Sequence, residues 1–221
     1  MRIRVKSGGR SLLNLAANLL IFAGIASILV FAWALLDGAY YQYTQRVQFE
    51  AQVADVDPGM AKEISVSGPR PQSNTRYSLL PGLPKFPARD PLLIGKLEVP
   101  RIGLSVMVRE GVDDATLRRA AGHLPSTALP GEPGNLVILG HRDTYFRSLR
   151  DLEQGDAVTV STTRGRFTYE IESIQVVEPD NIDLAAPASE AVATFITCFP
   201  FKYVGPAPRR LVARARLKQP F

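Results

Sequence analysis

One cysteine, two histidines and one tryptophan are all that this chain of 221 residues holds of its scarcest side chains. A lone thiol, Cys198, cannot close an internal disulfide. With two histidines and no C-x-x-C pair, the donors for a structural zinc site are also missing. No G-x-S-x-G, H-E-x-x-H or Walker sequence occurs, which argues against serine-hydrolase, zincin and P-loop chemistry. No cofactor and no metal are expected. Excess charge of one sign is scarce too. Of the net +5, four charges come from Arg2, Arg4, Lys6 and Arg10, leaving the rest of the chain almost neutral. A nucleic-acid binder needs its basic excess on the folded domain, so no nucleic-acid partner is expected.

What the sequence does have begins with a long uncharged run. No charged residue lies between Ser11 and Leu36. At 1.5 Å of rise per residue, a helix of this length exceeds the ~30 Å hydrocarbon core of a bilayer. Trp33, with Tyr40, Tyr41 and Tyr43 beyond it, fits an aromatic interface belt, and the basic residues before the run place the N-terminus in the cytoplasm. A cleaved secretory signal is the competing reading, but its apolar core is usually only about 7–15 residues long. Both readings export the rest of the chain.

The expected organisation is a basic segment at 1–10, a transmembrane anchor at 11–36 and a juxtamembrane segment at 37–56 that can be helical. A linker at 57–91 and a folded domain at 92–218 follow. Prolines 58, 69, 71, 81, 84, 87 and 91 punctuate the linker. Proline at that density favours extended chain, so the linker reads as a spacer that lifts the domain off the membrane. Beyond it the pattern is mainly β. Strands are expected at Leu93–Val99, Leu104–Val108, Leu136–Leu139, Ala157–Thr162, Arg166–Val177, Ala191–Cys198 and Leu211–Leu217. Asp113–Arg119, acidic first and basic last, is the best short helix. Many short strands with little helix predict one antiparallel barrel or sandwich.

Cys198 ends an apolar, β-branched run that Pro200 stops, so its thiol is carried at a strand end. Free cysteines are usually buried and inert, isolated histidines such as His123 are mostly structural or exposed, and arginines near a C-terminus are mostly solvated. In an exported chain, where thiols are normally paired, a lone cysteine accompanied by His141 and the adjacent Arg209 and Arg210 points instead to acyl-transfer chemistry. The last strand has two unlike faces. Leu211, Ala213, Ala215 and Leu217 share one, while Arg210, Val212, Arg214 and Arg216 share the other. Arg210 therefore belongs to the face turned away from the core.

Three segments carry a family resemblance: Gly131–Asn135 leading to Gly140-His141-Arg142-Asp143, then Thr197-Cys198-Phe199-Pro200-Phe201, then Gly205–Val212. In order and spacing they resemble a sortase, most closely class D, over about residues 92–218. The resemblance implies a closed β-barrel and a single-pass, membrane-anchored transpeptidase whose protein substrates carry a C-terminal sorting signal of the Leu-Pro-x-Thr-Gly type. It implies Cys198 as nucleophile, His141 as acid/base and Arg210 as oxyanion or substrate stabiliser, with an amine at the cell surface as acceptor. A membrane-tethered cysteine peptidase and a non-catalytic surface barrel are the alternatives.

Overall fold

The computed structural model describes residues 8–56, 90–180 and 188–220. The chain falls into two units, Met1–Tyr40 and Tyr41–Phe221. Helix α1, Gly8–Val56, contributes to both. In the first unit its apolar side chains are exposed, Leu20 and Phe22 by more than two-thirds and Trp33 by 67%. This helix is long and apolar enough to cross a membrane.

The second unit is built on eight strands: β1 Leu93–Val99, β2 Leu104–Glu110, β3 Ala121–His123, β4 Gly134–Leu139, β5 Ala157–Thr162, β6 Gly165–Val177, β7 Ala191–Phe199 and β8 Arg209–Pro220. They close a barrel in the order β1-β2-β3-β4-β7-β8-β6-β5, with β5 pairing back onto β1. The antiparallel expectation needs correction, because β2 with β3 and β4 with β7 pair in parallel. Parallel neighbours need a crossover, and the β5–β6 hairpin with its flanking loops supplies one between β4 and β7. Sequence periodicity reports the faces of a strand but not the direction of its neighbour. Among the described residues of this unit, one further α-helix, α2 (Asp114–Arg119), is capped by the Asp113 carboxylate on the amides of Ala115 and Thr116. Two 3₁₀ turns, Pro100–Ile102 and Arg147–Asp151, complete the elements.

Inside the barrel, Leu97, Val106, Leu136, Ile138, Val160, Phe195 and Ala213 pack into one core, each at most 2% exposed. Alternation puts the intervening residues outside, but on β1 the outside is covered as well. The end of α1 lies over it, and Phe49, Val53, Leu93 and Met107 form a second apolar cluster. Gln42 accepts from the Met107 amide at 2.9 Å and donates to the Arg119 carbonyl at 2.6 Å. Lys96, fully buried under this helix, pairs with Glu98 at 2.9 Å and Glu50 at 3.4 Å. A charge removed from water at such a position needs these partners.

Asp90 joins the same seam. Its carboxylate accepts from the Tyr41 hydroxyl at 2.9 Å and from Arg109 at 2.7 Å. Burial pushes the Asp90 pKa up, but hydrogen bonds from the Leu92 amide, Arg109 and Tyr41 outweigh it and hold the carboxyl below its ordinary value. Residues 57–89 of the expected 57–91 linker lie outside the described residues. Its flanks do not: Val53 and Leu93 share one apolar cluster, so both ends of the segment rest on the barrel wall.

Of the two expectations for His123, structural or exposed, the structure shows the first. It lies in β3, 2% exposed, with Nδ1 at 2.6 Å from Glu110 and Nε2 at 2.9 Å from the Thr127 hydroxyl. Its role is to tie β3 to β2 and to the loop before β4.

The packed seam predicts that Phe49→Ala, which empties a fully buried site between α1 and the barrel, destabilises the second unit by about 3–5 kcal/mol. Thermal unfolding of the detergent-solubilised chain measures this. An unchanged transition would mean that residues 41–56 are not part of the barrel's fold.

Candidate active site

The parallel register of β4 and β7 brings the first two expected residues together. Leu139 is paired with Ile196; two residues further on come His141, just past the end of β4, and Cys198, still within β7. The Gly140 amide donates to the Ile196 carbonyl at 3.2 Å, and the Thr197 hydroxyl donates to the Gly140 carbonyl at 2.7 Å. The second bond is buried and lies one residue before each of the two. Gly140 also leaves room for the core, because a Cβ there would lie 2.6 Å from the Phe146 ring. The chain then turns away, with the Phe146 amide returning to the His141 carbonyl at 3.0 Å.

Cys198 sits directly opposite Arg210 in the antiparallel β7–β8 ladder, and Phe199 sits opposite Arg209. Residues paired across a ladder point to the same face. Phe195 and Ala193 face the core, so Cys198 and Arg210 belong to the outer face. Leu211, Ala213 and Ala215 do face the core, in keeping with the two unlike faces expected of the last strand. All three of His141, Cys198 and Arg210 are half-buried, and the thiol is free. Arg209 is exposed instead, its guanidinium 5.5 Å from the centre of the Phe199 ring. Arg210 Nη1 donates to the carbonyls of Ala207 at 3.1 Å and Arg209 at 3.0 Å.

Two contacts went unread in the sequence. Arg142, quoted within a motif but given no role, donates through Nη2 to the carbonyls of Tyr203 at 2.7 Å and Gly205 at 2.9 Å. Thr194 donates to the Asn135 side chain at 2.8 Å and seals the β4–β7 seam below the site. The adjacency of Arg142 to His141 was a signal, but its partners lie some sixty residues along the chain. Among the described residues there is no group of acidic, histidine or cysteine side chains able to hold a metal.

The closed barrel thus carries a half-buried free thiol, a half-buried imidazole two residues beyond the end of the neighbouring strand and a guanidinium residue across the ladder, the groups expected of a cysteine acyl-transfer site. Comparison with known proteins gives the family. Residues 97–218 match the family model described as "Sortase domain". The chain belongs to the sortase family. It is 40% identical over 121 residues to Sortase D of Bacillus subtilis (strain 168), covering 53% of this chain and 60% of that one. It is 32% identical over 102 residues to Sortase SrtE1 of Streptomyces coelicolor, covering 41% of this chain and 29% of that one. The chain thus spans less than two-thirds of the length of either relative. The structure of a Clostridium perfringens Sortase D5 transpeptidase is similar with a TM-score of 0.53 and 30% identity, over 57% of this chain and 79% of that chain. A lid mutant of Sortase A from Corynebacterium diphtheriae gives 0.55 and 32%, over 60% and 73%.

The buried hydroxyl of Thr197 generates a test. Thr197→Val keeps the shape but leaves the Gly140 carbonyl unpaired, at an expected loss of about 1–3 kcal/mol. Thr197→Ser, which keeps the donor, should lose less. Denaturant titration of both variants decides: equal losses would remove the hydrogen bond as the link between the two strand ends.

Proposed function

We propose that this protein is a membrane-anchored cysteine transpeptidase acting on exported proteins that carry a C-terminal sorting signal of the Leu-Pro-x-Thr-Gly type. In this reading residues 11–36 anchor the chain in the membrane with its N-terminus cytoplasmic, and the barrel at 92–218 works outside. The observation that carries it is the register: Cys198 opposite Arg210 on one side, and level with His141 on the other.

The chemistry follows from these groups. A thiolate is a much stronger nucleophile than a thiol, and a neighbouring imidazole can take or return the proton. The Cys198 sulfur attacks the scissile carbonyl, and the charge that develops on the carbonyl oxygen is stabilised by Arg210, whose guanidinium is always ionised. The carbon–nitrogen bond breaks, His141 protonates the departing amine, and the acyl group remains on sulfur as a thioester. An incoming surface amine attacks the thioester, His141 accepts its proton, and the thiol is regenerated with a new amide bond. Water in place of the amine would give hydrolysis. No cofactor takes part.

Incubating the chain with sorting-signal peptides should give a peptide–enzyme adduct at Cys198, detected by mass spectrometry, that an added amine such as triglycine discharges into a ligated product. Cys198→Ala should form none. Turnover by folded Cys198→Ala protein would remove the nucleophile assignment, and discharge by water alone at every amine concentration would make the enzyme a peptidase.

The two adjacent arginines are distinguishable. Arg210→Ala should lower kcat by a factor on the order of 10²–10³, the usual loss for one oxyanion donor. Arg209→Ala, which loses an exposed contact with Phe199, should keep most activity. A larger loss at Arg209 would overturn the Arg210 assignment.

A further inference from the structure

We propose that Arg142 is a positioning residue that holds the β7–β8 loop and, through it, sets where the guanidinium of Arg210, the ladder partner of Cys198, stands. The inference rests on the catalytic reading of Cys198, His141 and Arg210. The loop leaves β7 after Phe199 and returns at Arg209, so its base is the Phe199–Arg209 pair, next to the Cys198–Arg210 pair. Its outer part, Lys202 to Pro206, is exposed, Val204 by 97%. Phe201, ahead of it, packs against the core and the Phe199 ring, but the outer part has little packing of its own to fix it.

Two arginines grip its backbone. Arg210 takes the Ala207 carbonyl at the returning end, and Arg142 takes Tyr203 and Gly205 near the tip. The Arg142 guanidinium also stands 5.7 Å from the centre of the Tyr203 ring. Its Nη1 is buried and has no hydrogen-bond partner among the described residues, while the bonds from Nη2 are exposed, so the group lies against the loop with one edge open to water. Hydrogen bonds from an ionised donor are roughly twice as strong as neutral ones. The same residue is covalently joined to His141. One side chain therefore links the strand end that carries the imidazole to the loop whose Ala207 carbonyl holds Arg210.

If the tip is released, the Ala207 carbonyl moves and Arg210 follows it. Arg142 touches no reacting atom in this scheme. Its removal should cost placement and leave proton transfer intact.

The test uses the detergent-solubilised full chain with a fluorescence-quenched Leu-Pro-x-Thr-Gly peptide and triglycine as acceptor. Arg142→Ala should lower kcat/KM about 10- to 100-fold, the scale of a misplacement near 1 Å. The pH at which activity is half-maximal and the rate of Cys198 alkylation by iodoacetamide should stay as in the parent. Arg142→Lys keeps the charge without the planar fork and should recover only part of the loss. The double variant Arg142→Ala/Arg210→Ala should be little worse than Arg210→Ala alone, since the first residue acts through the second.

Fully additive losses, a displaced pH profile, or unaltered kcat/KM in folded Arg142→Ala or Arg142→Lys would each overturn the proposal. Turnover by Cys198→Ala in the same assay would instead overturn the catalytic reading beneath it.

Discussion

The parallel seam between β4 and β7 is the constraint on which the site depends. Strands that pair in parallel end at the same rim of the barrel, and Leu139 paired with Ile196 carries His141 and Cys198 to that rim together. A slip of one residue would turn Cys198 into the core and Thr197 outward. The register is held from both sides. Phe195 and Ile138 are locked in the core, and the Thr194–Asn135 and Thr197–Gly140 hydrogen bonds are buried, where a lost partner is costly.

The end of α1 belongs to the barrel as much as any strand does. By covering β1 it converts Lys96 and Glu98, residues on an outer face, into a buried ion pair completed by Glu50. Such a pair is weak as a source of stability but unforgiving of a missing member. The apolar cluster around Phe49 supplies the favourable burial, and the Asp90, Tyr41 and Arg109 bonds fix the angle at which the chain enters β1. The flanks of residues 57–89 are thereby held on one wall, so the connection between helix and barrel is made by packing as well as by the chain.

The active rim is less tightly built than the core below it. Cys198 and His141 each follow a residue of the buried Thr197–Gly140 bond, whereas the Arg210 guanidinium is held by the carbonyls of Ala207 and Arg209 at the base of the loop. The difference suits the roles proposed for them: a nucleophile and its base need a constant separation, while an oxyanion donor must meet charge that exists only during the reaction.

Much of this was legible in the residues. The β segments read from alternation coincide with seven of the eight strands to within a few residues at each end, and the two faces of the last strand follow from Leu211, Ala213 and Ala215 alternating with arginines. β3 was not legible, because three residues, Ala121 to His123, are too few to show a period. The structural role of His123 therefore had no strand to be attached to, although it is a buried strand residue bonded to Glu110. Strand direction could not be read either, since hydrophobic period is the same for parallel and antiparallel neighbours. The sequence by itself determined the apolar N-terminal helix, the β character of the domain and the single thiol at a strand end, because each depends on residues close together in the chain. Only the tertiary structure decided that β4 lies beside β7, that the end of α1 covers β1, and that Arg142 grips the loop ahead of Arg210. Each of those joins groups that sequence distance separates and packing alone brings into contact.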